Sequence, residues 1–170
     1  EKQDVVEFMW ISNDRIFFRA ATNLDITGAR FYRGAYAIDV DGKNFRDLTF
    51  PGRKGAPGSG GSLAGFSILS RTNDGTGDVI VAMDGRVRGF PDVYRYNTRT
   101  GEHKLLTFDS PGRTIGWVLD RNLAARIAIR AEERKDNDSP RLNTIWHRAG
   151  EDSPWEKIGE ASSLDNTGSI

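Results

Sequence analysis

Apolar positions along this chain recur at every second residue over short spans, and no window sustains the three-to-four spacing of a helix. Val6, Phe8 and Trp10 alternate with polar or exposed neighbours, as one side of a strand does. Ile16-Phe17-Phe18, Val79-Ile80-Val81 and Ile127-Ala128-Ile129 are short runs rich in residues that favour strands. Nineteen glycines interrupt these runs and supply turns. The pattern predicts an all-β chain of short strands.

Aligning the turns exposes a longer period. Leu48-Thr49-Phe50-Pro51-Gly52-Arg53 returns 58 positions later as Leu106-Thr107-Phe108-Asp109-Ser110-Pro111-Gly112-Arg113. Each copy follows a tyrosine-bearing strand and a glycine turn: Tyr36 then Asp41-Gly42, and Tyr94 then Thr100-Gly101. A looser copy runs from Ile145-Trp146 through Gly150 to Trp155-Glu156-Lys157-Ile158. Two further strands precede each copy: 6–12 and 15–20, 63–71 and 78–83, 114–119 and 126–131. The unit is a four-stranded antiparallel meander, as in the blade of a β-propeller. A partial propeller of about three blades follows, at about 4–50, 63–108 and 114–158, with 159–170 leading into another blade. A β-sandwich or up-and-down barrel also uses many short strands and is the competing architecture.

Composition narrows the function classes. At 37% hydrophobic and 28% charged residues, the 170-residue chain is expected to fold around a core. Lys+Arg and Asp+Glu are both 24, so there is no cationic excess to neutralise phosphates, which argues against nucleic acid as a partner. No apolar run approaches the roughly 20 residues of a membrane-spanning helix. The chain has no cysteine, which removes disulfides and thiolate metal sites and leaves the compartment open, with a bacterial periplasm favoured over the cytoplasm. Beginning Glu1-Lys2-Gln3-Asp4, the chain reads as a processed or truncated piece of something longer.

The segments "DVYRYNTRTGEHKLLTF" (92–108) and "GWVLDRNLAARIAI" (116–129) carry a resemblance. With Gly116-Trp117, Asp120 and the strand from Arg126, they resemble the N-terminal propeller of the prolyl oligopeptidase family, most closely its bacterial dipeptidyl-aminopeptidase and acylaminoacyl-peptidase-like members. TolB-like propellers share this turn grammar. The resemblance covers most of residues 4–160. It implies a parent serine peptidase in which the propeller gates peptide substrates for an α/β-hydrolase domain. That domain is missing from these residues: no G-x-S-x-G occurs, and no strand–helix alternation follows the repeat. The chain itself is therefore expected to be non-catalytic, to need no cofactor, and to partner the hydrolase domain and its peptide substrate. Open blade edges offer a route to self-association. The alternative is a stand-alone TolB-like interaction module.

Few residues carry candidate chemistry. "GAPGSGGSLA" (55–64) nearly matches a phosphate-binding loop, but Gly61 replaces its lysine; it nearly matches a nucleophile elbow, but Ala64 replaces the closing glycine. It reads as a connector between blades, and Ser62 is not a nucleophile. His103 and His147 lie in different blades without metal-ligand spacing, so no metal is expected. Asp14, Asp41, Asp74, Asp84 and Asp152 read as turn residues. Trp10, Phe66 and Trp117 read as packing between blades. The resemblance gives Glu132-Glu133 a further meaning, since some dipeptidyl-peptidase relatives hold the substrate's amino terminus with adjacent glutamates. The same pair also reads as an ordinary charged hairpin tip.

A meander alternates its connections between two ends. Short turns at 13–14, 41–42, 73–77, 100–101 and 120–122 share one end. Longer links at 22–33, 51–62, 85–91, 110–113 and 132–142 share the other, which is the expected partner face. Arg30, Arg33, Arg53, Lys54, Arg86, Arg88 and Arg113 fall there, and Arg53, Arg88 and Arg113 are its candidate contacts for another domain, a partner chain or an acidic peptide.

Overall fold

A computed structural model describes residues 4–24, 29–48, 66–134, 136–137 and 140–162. Among them the regular structure is entirely β: twelve strands in three four-stranded sheets, each a simple antiparallel meander. The first sheet holds β1 (Asp4–Ser12), β2 (Arg15–Leu24), β3 (Ala29–Asp39) and β4 (Arg46–Asp47). The second holds β5 (Phe66–Arg71), β6 (Asp78–Val87), β7 (Phe90–Asn97) and β8 (His103–Leu105). The third holds β9 (Thr114–Leu119), β10 (Ala125–Ala131), β11 (Leu142–His147) and β12 (Glu156–Ser162).

The strands are longer than their apolar runs, and two expected loops shrink. The link at 85–91 is mostly strand: β6 runs to Val87, β7 starts at Phe90, and only Arg88-Gly89 turn between them. Polar Asp84 and Arg86 stay in the strand because both are satisfied there. Asp84 accepts the Gly89 amide at 2.8 Å, and Arg86 grips Asp92 at 2.6 and 2.7 Å. In the link at 22–33, residues 22–24 and 29–33 belong to paired strand, Thr22 opposite Phe31 and Leu24 opposite Ala29. Residues 159–162, read as a lead into another blade, complete β12. The connector 55–64 and Ser62 lie outside the described residues.

The three sheets stack face to face in chain order. Phe17, Ala35, Ala37 and Leu48 of the first bury against Val79, Val81, Met83, Tyr94 and Tyr96 of the second. Ile80, Ala82 and Val93 of the second bury against Trp117, Ala125 and Ala128 of the third. The middle sheet is thus apolar on both faces, and alternate residues of β6 enter different cores.

Polar groups lock the first joint. Arg15 is fully buried; its guanidinium donates to the Thr98 hydroxyl (2.9 Å), the Thr98 carbonyl (2.5 Å) and Asp39 (2.6 Å). Arg99 returns the link to Asp14 at 2.6 Å, and Arg46 donates to the Arg99 carbonyl at 2.6 Å. The turns between first and second strands and between third and fourth strands therefore meet at one end, as strand counting predicts. Gly42 and Gly101 occupy the same place in their sheets, at φ +82° and +81°, a conformation that favours glycine and accounts for the recurring glycine turn.

The repeated Leu-Thr-Phe segment also has a physical reason. The Thr107 hydroxyl accepts from the Val93 amide at 3.0 Å and donates to Asp92 at 3.2 Å, pinning the chain after β8 onto β7. Leu48, the counterpart of Leu106, is fully buried, and the two make the same amide bond to the third strand, to the Ala35 and Val93 carbonyls at 2.7 and 2.8 Å.

Candidate binding face

Three connections meet at the end opposite the short turns: the β6–β7 turn, the β8–β9 link and the β10–β11 link. Arg113 ties them together. Its guanidinium lies 4.8 Å from the centre of the Phe90 ring, donates to the Ala131 carbonyl at 3.1 Å and pairs with Glu133 at 3.1 Å. Its backbone carbonyl accepts the Ala131 amide at 3.0 Å. Arg113 is therefore largely committed to structure, although 40% of its side chain remains accessible.

Arg86 is committed too. Beyond its fork on Asp92 it donates to the Thr107 and Phe108 carbonyls, both at 3.0 Å, and covers the Phe108 ring at 5.6 Å. The paired carboxylate raises its pKa further, so it stays charged. Arg88, at the turn itself, is exposed and makes no hydrogen bond or ion pair among the described residues. Phe108 projects beside this turn with 79% of its surface accessible. Arg88 offers an uncommitted cation, and Phe108 an exposed ring that Arg86 covers on one side. Arg53 and Lys54 lie outside the described residues, as do the side chains of Arg30 and Arg33.

The neighbouring glutamates are held apart in role. Glu132 accepts from the Thr144 hydroxyl at 2.7 Å and sits 3.4 Å from Arg130. Glu133 points to Arg113 and is 81% accessible. Each carboxylate already faces an arginine, and the buried Thr144 that donates to Glu132 in turn accepts from the Trp146 indole at 2.9 Å.

The histidines and turn carboxylates sit in structural surroundings. His103 stacks on Tyr96 with ring centres 6.0 Å apart, and His147 ends β11 paired across Ile127 and Glu156. Asp74 is held well below its ordinary range by the Thr76 and Thr72 hydroxyls, the Thr76 amide and Arg95. Among the described residues no group of three or more His, Asp or Glu could hold a metal ion, and no helix is long and apolar enough to cross a membrane.

Two of the three repeat-equivalent aromatics are core: Phe66 is 4% and Trp117 9% exposed, the latter donating its indole N–H to the Pro91 carbonyl at 2.7 Å. Trp10 is 49% exposed, contrary to the expectation, because its side of the first sheet has no described sheet against it.

Sequence reasoning missed a concavity at the opposite end. A cleft of about 620 Å³ opens between the β1–β2 and β5–β6 turns, lined by Trp10, Ser12, Asn13, Asp14, Arg71 and Asn73 among others. Arg71 crosses it to the Trp10 carbonyl at 3.3 Å. Its volume is in the range of small-molecule sites. Nothing in the spacing of these turn residues signals it, because the walls come from two different sheets.

No family model matches the chain, and no curated protein or solved structure matches it either.

Proposed function

We propose that the chain is a non-catalytic partial propeller that gates or positions peptide substrates for a prolyl oligopeptidase-like serine peptidase, whose α/β-hydrolase domain is not among these residues. Three successive four-stranded meanders, stacked in chain order with the middle one buried on both faces, support the propeller. A sandwich of two layers would leave one face of each sheet wet. The observation that carries the binding role is the pair Arg88 and Phe108. Both stand exposed on a face where Arg86 and Arg113 are tied into its own framework. An exposed cation and an exposed aromatic ring on one face suit an extended peptide carrying a carboxylate and an apolar side chain.

The role is tested by titrating fluorescent acidic peptides against the chain and its Arg88→Glu variant. The expected result is weakening of at least about tenfold, the loss of one charge-assisted contact of about 1.5 kcal/mol. Equal binding by both proteins defeats the reading. The parentage is tested separately by the coding sequence flanking residue 170. A G-x-S-x-G followed by Asp and His supports the peptidase, and a stop after one ring of blades favours a TolB-like module instead.

A further inference from the structure

The cleft of about 620 Å³ between the β1–β2 and β5–β6 turns lies at the end opposite Arg88 and Phe108. The carboxylates around it are already engaged. Asp14, on the β1–β2 turn, accepts the Ser12 hydroxyl on one oxygen and Arg99 on the other, both at 2.6 Å. Asp74, in the β5–β6 turn, accepts the Thr76 and Thr72 hydroxyls at 2.5 and 2.8 Å and Arg95 at 2.6 Å. Ser12 for Asp14 and Thr76 for Asp74 hold each below the ordinary carboxylate range, so both stay ionised.

The cation of the cleft is not engaged in the same way. Arg71 ends β5 opposite Val79, a residue of the first core, so its side chain leaves the second sheet toward the first. Its guanidinium reaches the Trp10 carbonyl in one bond of 3.3 Å and makes no other hydrogen bond or ion pair among the described residues. A guanidinium carries five N–H donors, so most of them stay open. Arg15, Arg95 and Arg99, at the same end, each hold a carboxylate at 2.6 Å. Asn13 and Asn73, on the two turns that frame the cleft, make no side-chain hydrogen bond among the described residues. One open cation and two open amides therefore line a space whose acids are spent.

We propose that this cleft binds a small carboxylate ligand, with Arg71 on the carboxylate and the Asn13 and Asn73 amides on hydroxyl or amide groups beside it. The planar fork of a guanidinium matches the two oxygens of a carboxylate. One cation also balances one negative charge, whereas a phosphate dianion would leave a charge uncompensated near Asp14. The volume suits a molecule the size of a dipeptide or a sugar acid. The C-terminus of a short peptide and a hexuronic acid share this chemistry. The site does not depend on the function proposed above.

The test is isothermal titration calorimetry of the 170-residue chain at low ionic strength with two pairs of probes. N-acetyl-alanyl-alanine is compared with its C-terminal amide, and glucuronate with methyl glucoside. At least one acid is expected to bind with a dissociation constant below about 5 mM, and its neutral counterpart at least about tenfold more weakly. Binding of the peptide acid alone assigns a peptide terminus, of glucuronate alone a sugar acid, and of both the carboxylate itself. Arg71→Gln is expected to bring the acid down to the level of its neutral counterpart, and Asn13→Ala to weaken it about threefold. Asn73 is left in place because its φ of 55° suits asparagine. Circular dichroism melts check that both variants fold. Should Arg71→Gln melt early, the comparison of acid with neutral probe on the wild type decides alone. Failure of both acids to bind that tightly, equal binding of acid and neutral probe, or undiminished binding by a folded Arg71→Gln protein each overturn the proposal.

Discussion

Ile80 and Val81 are adjacent on β6 and enter different cores, with 3% and 0% of their surface exposed. Truncating each therefore probes whether the middle sheet is buried on both sides. Val81→Ala removes two methyl-sized groups, about 1.6 kcal/mol at roughly 0.8 kcal/mol per buried carbon. The unrelaxed cavity between Phe17 and Tyr94 raises this toward about 2.5 kcal/mol. Ile80→Ala removes three such groups, about 2.4 kcal/mol by transfer, and falls within the roughly 2–5 kcal/mol of large-to-small core changes. Val87 ends the same strand at 55% exposure, so Val87→Ala is the control and is expected to stay within about 0.5 kcal/mol of wild type. Urea unfolding followed by tryptophan emission and circular dichroism, at one protein concentration, reads all three. If Ile80→Ala unfolds with the wild-type midpoint while Val81→Ala is weakened, only one face of β6 is buried and the stacking argument is wrong.

A Cβ added at Gly85 would land on the Tyr94 phenol oxygen, so Gly85→Ala is expected to cost about 1–3 kcal/mol by overpacking. Adding Tyr94→Phe, which deletes that oxygen, is expected to restore part of the loss in a thermal melt. Trp117→Phe keeps most of the packing but loses the bond to the Pro91 carbonyl, lowering stability by about 1 kcal/mol or more in the same assay. Acid titration has a defined sign. Asp39, held down by Asn44 and then Arg15, Asp14, held down by Ser12, and Asp74, held down by Thr76, all lie below their ordinary 3.8. Their contribution is whole above pH 4 and is lost as pH falls through the lowered folded values, so the midpoint falls steadily below pH 4; a flat profile there refutes it. Glu133→Gln, at an exposed pair, should change stability by no more than about 0.5 kcal/mol in urea.

Much of the fold was legible because strand alternation and turn chemistry agree. The strand Thr114–Leu119 appears with the bounds its pattern suggests, and the repeat of Leu48 at Leu106 marks two chain segments with the same job. What misled was polarity inside strands. Asp84 and Arg86 look like loop residues until their partners Gly89 and Asp92 are placed, and those partners lie across a hairpin that sequence alone does not draw. Trp10 misled in the opposite way, since its repeat position is that of Trp117 but no described sheet lies against it as the second sheet lies against Trp117. On the candidate face, arginine content was readable and arginine availability was not. Whether a guanidinium is spent on Asp92, as in Arg86, or left open, as in Arg88, depends on geometry several residues away.

The middle sheet's lack of a wet face has a kinetic consequence. A sheet with one polar side can wait in water for its partner, but β6 and β7 cannot. When the first two sheets have docked, Ile80, Ala82 and Val93 still face solvent until Trp117 and Ala128 arrive. Any such half-built species would carry a bare apolar surface, from which aggregation competes with folding. If the third sheet docks last, substitutions that speed its docking are expected to raise refolding yield even where they add little to final stability.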